Sequence, residues 1–315
     1  MNMLQRRDVR MDFDTYQRDA RSTDGIPAHI SGLKKVEYCI FGAMDQLGEA
    51  AGKLKKKQRD GNDYRKYKED LAEKLGFLLW YVSTAASALN LTLESIADQN
   101  IKFNEERWPF DPKAQSEFDA KFPVGEQLPT SGWTHFTVKS GDPQKIVATS
   151  FLGDGFTVQL PFGDPVDDNA NLEDGYSFHD VFHLGYYALL GWSPVVRKFW
   201  DCKRKSCPDT DRIEDGARAR DREEAATTFV YKYAYEHNFF KTADTVDTAI
   251  LSLVKSITED LEVQKRTRSD WQHTIITAAR VQKELMDNNG GWVYASRLEK
   301  RLQFSKSGPS AGRSR

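Results

Sequence analysis

The sequence predicts a mostly α fold: a helical bundle, then a small β element, then a second helical domain. Three observations predict it. Helical periodicity fills 33–58 and 64–89, broken only by Asp60, Gly61 and Asn62, residues that favour turns. After Trp108 and Pro109 the composition shifts to Pro, Gly and Asp until about Gly175, with short alternating runs inside. Helical periodicity then returns and holds from Tyr176 to Met286. The expected division is a helical domain at 1–110, a connecting segment with short strands at 111–175, a second helical domain at 176–305, and a disordered tail at 306–315.

In chain order, 11–22 reads as an amphipathic lead-in helix. The next two helices follow from the periodicity above, and Asn90 stops the second. A further helix is expected over 92–104, with Thr92 as N-cap and Glu94 and Ser95 in its first turn. The lysine-rich run 53–59 suits a helix C-terminus, where cations complement the helix dipole. Alternation at 135–138, 146–151 and 156–160 predicts strands, with Gly153, Asp154 and Gly155 as the tightest turn. Asn288, Asn289, Gly290 and Gly291 end the last helix, and 292–304 predicts a closing strand or two. The Gly, Ser and Arg content of the last residues predicts disorder.

A chain of 315 residues has room for one large or two ordinary cores. Its net charge of −2 leaves no global footprint for nucleic acid or a membrane surface. No run approaches the ~20 apolar residues a spanning helix needs, and the first residues, MNMLQRRDVRMDFD, lack the apolar core of a secretory signal. Cys39, Cys202 and Cys207 form neither an even set nor a C-x-x-C pair, which argues against a disulfide framework or a zinc knuckle. A reducing cytoplasm is expected.

The stretch 42–107 contains GAMDQLGEAAGKLKKKQRDG, then KEDLAEKLGFLLWYVSTAASALNLTLESIADQN, then IKFNEERWP. It resembles the MazG-like all-α nucleoside triphosphate pyrophosphohydrolases. In that family one helix carries Glu-x-x-Glu and a second Glu-x-x-Asp, and the resemblance implies a bundle with a Mg²⁺ site between them. The frame is kept by Gly42, Gly48, Leu75, Gly76, Leu79, Trp80, Tyr81, Asn100 and Arg107. The four acidic positions fall on Gln46, Glu49, Lys74 and Phe77, so Glu49 alone remains a carboxylate and a metal candidate. Magnesium wants oxygen ligands. Lys74 brings a cation to the cation's place and Phe77 brings no oxygen, so this site is expected to be inactive. Relocation by one turn to Asp45, Asp70 and Glu73 fails if the helices run antiparallel, because Asp70 and Glu73 then point toward Gly52 and Lys53. A Glu73–Lys53 ion pair is expected instead.

The second half holds the densest cluster of site-type residues, YSFHDVFHLGYYALLGWSP. His179 and His183, at i and i+4, share one helix face with Asp180 beside them, and imidazoles so placed can bind a metal or serve as acid and base. Downstream, Asp215, Ala219, Glu223, Ala226, Val230, Tyr233 and His237 form one helical stripe. A glutamate aligned with core positions must be paired, protonated or metal-bound. Glu214 and Glu224 widen the choice, and Arg218 or Arg222 can pair with them. Lys203, Arg204 and Lys205 supply donors for phosphate. This block is similar to the C-terminal region attached to MazG-like domains in some bacterial proteins, which are described as nucleotide pyrophosphohydrolases. The separate upstream His and downstream Asp of the HD phosphohydrolases are not identifiable here.

The expected function is that of a nucleotide pyrophosphohydrolase-like protein with a silent N-terminal site. Metal-assisted phosphoanhydride hydrolysis, or nucleotide binding, would belong to the C-terminal half. The candidates are His179, Asp180, His183 and Glu224 for catalysis, His183, Asp215 and Glu223 for metal, and Lys203, Arg204 and Lys205 for phosphate. The cofactor is Mg²⁺ or Mn²⁺ and the partner a nucleotide or other phosphorylated small molecule. The alternative is a non-catalytic regulatory or oligomerising module, and the family resemblance implies a homo-oligomer.

Overall fold

The computed structural model describes residues 11–108, 117–141, 143–171 and 173–309. It is mostly α, with ten α-helices and one five-stranded antiparallel sheet among the described residues. The chain separates into two compact units, 1–105 and 106–315.

The first unit is built on α1 (Phe13–Ser22), α2 (Leu33–Asp60), α3 (Tyr67–Ala88) and α4 (Leu93–Arg107), the last running to the boundary. Helices α2 and α3 are antiparallel. A Cβ on Gly42 would lie 2.3 Å from the Tyr81 ring, Glu49 meets Lys74 at 2.6 Å, and Lys53 meets Asp70 at 3.7 Å, so partners descend as α2 advances. Glycine at 42 lets the Tyr81 ring lie directly on the α2 backbone. Gln17 ties α1 to the far end of α3: its amide nitrogen donates to Ser87 Oγ at 2.9 Å and its oxygen accepts from the Leu93 amide at 2.9 Å. Thr92 caps α4 as expected, accepting from the Ser95 amide at 3.0 Å. The expected Glu73–Lys53 pair is not formed. Asp70, one turn nearer the loop, takes Lys53, while Glu73 pairs with its neighbour Lys74 at 3.0 Å. No single described helix is long and apolar enough to cross a membrane.

In the second unit, strands β1 (Ser131–Lys139), β2 (Lys145–Leu152) and β3 (Val158–Pro161) join β4 (Gly290–Ser296) and β5 (Arg301–Ser305) in the order β3-β2-β1-β4-β5. The strands of the 111–175 stretch therefore share a sheet with those that close the chain. Alternation in β1 and β2 turns Phe136, Ile146, Ala148 and Leu152 into the core. Helical periodicity between the sheet's two halves resolves into α5 (Asp180–Gly185), α6 (Pro194–Phe199), α7 (Pro208–Ile213), α8 (Ala217–Glu236), α9 (Thr248–Ile257) and α10 (Arg268–Asp287). Helix α10 starts on a capping box made by Thr267 and Asp270 and buries Trp271, Ile275, Ala278 and Ala279. It approaches α5 closely at Gly185, where a Cβ would sit 3.0 Å from the Ala278 Cβ. After α5 the helix loosens into one buried π turn, Tyr186–Leu190, which ends on Gly191 in the left-handed region. Of the expected tail, Gly308 lies against the Trp292 ring, and 310–315 fall outside the described residues.

Candidate metal centre

The entry to α5 is fixed by one carboxylate. Asp168 accepts from the amides of Asp174, Gly175 and Ser177 at 2.8, 2.8 and 2.7 Å. Burial pushes the Asp168 carboxyl up, but the Ser177 hydroxyl and these N–H groups outweigh it and hold the carboxyl below its usual range. Tyr176 follows, and its carbonyl lies 2.9 Å from His179 Nδ1. A carbonyl only accepts, so Nδ1 carries a proton, and Nε2 is the ring nitrogen turned away from that contact. The Tyr176 ring stacks on the imidazole at 4.3 Å, which fixes the ring plane. One turn on, His183 is fully buried, and its Nδ1 lies 2.7 Å from Glu223 Oε1.

Glu223 and Glu224 are adjacent on α8 and do different things. Glu223 is fully buried and its oxygens are occupied: Oε1 also accepts from Ser193 Oγ at 2.6 Å, and Oε2 from the Val195 amide at 2.9 Å. Glu224 stands on the neighbouring face, half exposed, with Oε2 3.3 Å from His183 Nε2. That contact lacks hydrogen-bond alignment, so His183 Nε2 is a buried nitrogen without a hydrogen-bond partner. Asp180 lies between the imidazoles, its Oδ1 3.7 Å from His179 Nε2. Ligand atoms of His179, Asp180 and His183 all fall within 4.8 Å of one another. Gly163 passes beside this carboxylate, where a Cβ would come within 3.5 Å of Asp180 Oδ2.

The charge states follow from these contacts. Burial raises the Asp180 carboxyl, offset only in part by the two histidines. Burial alone would lower His183, yet Glu223 and Glu224 outweigh it and hold the imidazole well above its usual value. Glu224 is pushed up by burial and pulled further down by His183.

Several expected site residues lie elsewhere. Asp215 precedes α8 and is buried against Arg204, which donates from its amide at 2.7 Å and from Nη2 at 2.7 Å. It does not join the imidazole group, because its charge is spent on that guanidinium. Arg204 is equally buried and also holds Glu262 at 2.8 Å, so its guanidinium is engaged by two carboxylates. Lys203 pairs with Asp211 at 2.5 Å and exposed Lys205 with Asp201 at 3.3 Å, so the basic run does not form one anion cradle. Glu223, expected as a metal ligand, has its oxygens engaged by three protein donors. In the first unit Glu49 is engaged by Lys74 at 2.6 Å, and the hydrogen bonds that Lys74 donates to Glu49 and Glu73 push the ammonium up to about 12. Phe77 is half exposed and lines an apolar cavity of about 570 Å³ with Tyr16, Gly76, Trp80 and Tyr81.

Asp168, Ser193 and the Tyr176 carbonyl were not legible as site residues. Ser193 followed by Pro194 does carry a signal, that of an N-cap with proline in the first turn. The Ser193 hydroxyl caps α6 through the Val196 amide at 3.0 Å while donating to Glu223. Nothing local marks Asp168, whose partners lie in a loop.

A helical unit backed by an antiparallel sheet, with paired imidazoles and carboxylates on two facing helices, defines a candidate metal-binding domain. Residues 113–308 match the family model described as the MazG C-terminal domain, and the chain belongs to that family. It is also 30% identical over 95 residues to the "Gene 37 protein" of Mycobacterium phage L5, covering 29% of this chain and 83% of that protein. No solved structure matches the chain.

Proposed function

We propose that the second unit is a metal-dependent phosphoanhydride hydrolase acting on a nucleotide or a related phosphorylated small molecule. The observation that carries this reading is the buried Nε2 of His183, which has no aligned hydrogen bond and faces the Glu224 carboxylate at 3.3 Å, with His179 and Asp180 grouped beside the imidazole. Membership of a MazG-related family supports the substrate class. A divalent cation held by these residues would offset phosphate charge and activate water. The protein's own groups do the rest. Glu223 and the Tyr176 carbonyl hold the two rings, and half-exposed Glu224 marks the side open to substrate. Exposed Lys198, whose charge is felt at Glu224, takes the phosphate-binding role expected of the basic run 203–205.

The first unit is read as a MazG-like bundle whose metal site is lost, since Lys74 occupies it. The apolar surface of Ile40, Phe41, Met44 and Leu47 on α2 and of Leu75 on α3 favours assembly into a homo-oligomer. The test of the main reading is a nucleoside triphosphate panel with Mg²⁺, Mn²⁺, Co²⁺ or Zn²⁺, with pyrophosphate and phosphate release read separately. Metal-dependent release lost in Lys198→Ala and Glu224→Gln is expected. Absence of turnover with every metal would sink the hydrolase reading.

A further inference from the structure

We propose that His179 Nε2, His183 Nε2 and the carboxylates of Asp180 and Glu224 form a transition-metal centre that selects Mn²⁺, Co²⁺ or Zn²⁺ over Mg²⁺ and Ca²⁺. It deepens the metal-centre reading above and rests on it. Three observations lead there. The first is the donor set. Magnesium and calcium are held by oxygen, whereas imidazole nitrogen suits the later first-row ions. The structure offers as many imidazole nitrogens as carboxylates.

The second is the division between ligands and supports. Each imidazole is gripped at Nδ1, one by the Tyr176 carbonyl at 2.9 Å and the other by Glu223 at 2.7 Å. Metal-binding histidines carry this kind of partner on the ring nitrogen facing away from the ion, which fixes the tautomer and aims the other nitrogen. Glu223 is held in turn by Ser193 and the Val195 amide, so its aim does not depend on an ion. The fully buried Nε2 of His183 has no aligned hydrogen bond and faces the Glu224 carboxylate at 3.3 Å, a position a shared cation would fill.

The third is spacing. Donors about 2.0–2.2 Å from a shared ion stand roughly 3.0–3.5 Å from one another. Two edges of the cluster measure 3.7 Å, His179 to Asp180, and 3.3 Å, His183 to Glu224. The limit of 4.8 Å holds across the histidines and Asp180; Glu224 lies outside that group and is joined to it through His183, so the Glu224 side chain must swing inward to share the ion. The half-exposed Glu224 provides the entry path, since the other three donors are buried or nearly so.

The experiment strips the full chain with chelator and then titrates Mn²⁺, Co²⁺, Zn²⁺, Mg²⁺ and Ca²⁺ singly. Bound metal is measured by elemental analysis and fold by thermal melting, while visible absorption follows the Co²⁺ form. One equivalent of Co²⁺ is expected, with ligand-field bands, and Mg²⁺ in hundredfold excess should not displace it. Glu224→Ala, at the rim, removes a ligand without opening the core and should weaken Co²⁺ binding at least tenfold. Glu223→Gln should weaken binding by about 10–100-fold with the same stoichiometry, the effect of a supporting residue rather than a ligand. Mg²⁺ displacing Co²⁺ at equal concentration overturns the selectivity and leaves the hydrolase reading standing. Failure of every metal to bind the folded parent overturns both.

Discussion

At the scale of single residues, the consequential distinction is between two adjacent glutamates. Glu223 satisfies a hydroxyl, an amide and an imidazole, all buried. Replacing it with alanine strands those donors, each costing about 1–3 kcal/mol when left unsatisfied and dry. Glu223→Ala should therefore lower the urea midpoint strongly, whereas Glu224→Ala, half exposed, should leave it within about 0.5 kcal/mol. Equal destabilisation by the two variants would contradict the roles assigned here. Glu49 provides the converse case. Its partner is Lys74 at 2.6 Å, so no ligand set is lost when it is removed. Glu49→Ala is expected to keep any hydrolase activity within about twofold, a change below ~0.4 kcal/mol in barrier. A hundredfold loss in folded protein, measured at saturating metal, would place chemistry in the first unit after all.

At the scale of elements, α8 decides whether the site assembles, because it brings Glu223 and Glu224 to helix α5. Its start is set by Gly216, where a Cβ would stand 2.1 Å from the Arg212 carbonyl oxygen. The backbone there is extended and strain-free, with φ −78° and ψ 177°, so glycine is needed for the close approach of α7 and not for its dihedral freedom. Gly216→Ala must push α7 and α8 apart. The expected loss is about 1–3 kcal/mol, typical of overpacking, together with weaker Co²⁺ binding as Glu224 moves from His183. Unchanged melting and unchanged metal affinity would show that the α7–α8 junction yields without cost. The helical stripe read from sequence is the buried face of α8: Ala219, Glu223, Ala226, Val230 and Tyr233 are in the core. His237 is exposed beyond its end, where the helix has already stopped. Elements were legible where periodicity ran long, as in α2, α3 and α10. The π turn after α5 was not, because its five residues are buried on all sides and show no periodic polar face.

At the scale of the whole second unit, buried ion pairs connect segments far apart in sequence. Asp119 accepts from Arg197 Nη2 at 2.7 Å, from Arg297 Nη1 at 3.0 Å and from the Leu128 amide at 2.7 Å. Arg197 also lies 3.7 Å from Asp215, the carboxylate that holds Arg204. The network thus spans the chain from the entry of β1 to the turn after β4. Burial pushes the Asp119 carboxyl up, but the Leu128 amide and the two guanidinium groups outweigh it, and the folded value is depressed. A depressed carboxyl stabilises the fold above its unfolded value, near 3.9, and that contribution is lost as pH falls through the folded value. Acid unfolding should therefore steepen below about pH 4, and Asp119→Asn should flatten that limb. Asp119→Ala removes the carboxylate shared by two buried guanidinium groups, which keep Asp215 and Glu117 as remaining partners, and should cost about 1–3 kcal/mol at neutral pH. An acid-unfolding curve identical in the parent and Asp119→Asn would remove the network from the account of stability.

The sequence by itself determined what is local. Spacing of one helical turn put His179 and His183 on one face with Asp180 between them, and apolar periodicity put Glu223 on a buried stripe. The mostly α character was likewise legible, since helical hydrogen bonds and side-chain periodicity are set by neighbours within a few residues. Only the tertiary structure decided which carboxylate meets which imidazole nitrogen. Adjacent helical residues point about 100° apart, so Glu223 runs into the core beneath His183 Nδ1 while Glu224 reaches Nε2 from the rim. Asp215 shares the stripe on paper, yet α8 begins at Ala217, and the chain before it turns toward Arg204. The burial that made Glu223 conspicuous is also why it serves as a support. A buried carboxylate must satisfy its oxygens with protein donors, whereas the half-exposed Glu224 meets His183 from the rim.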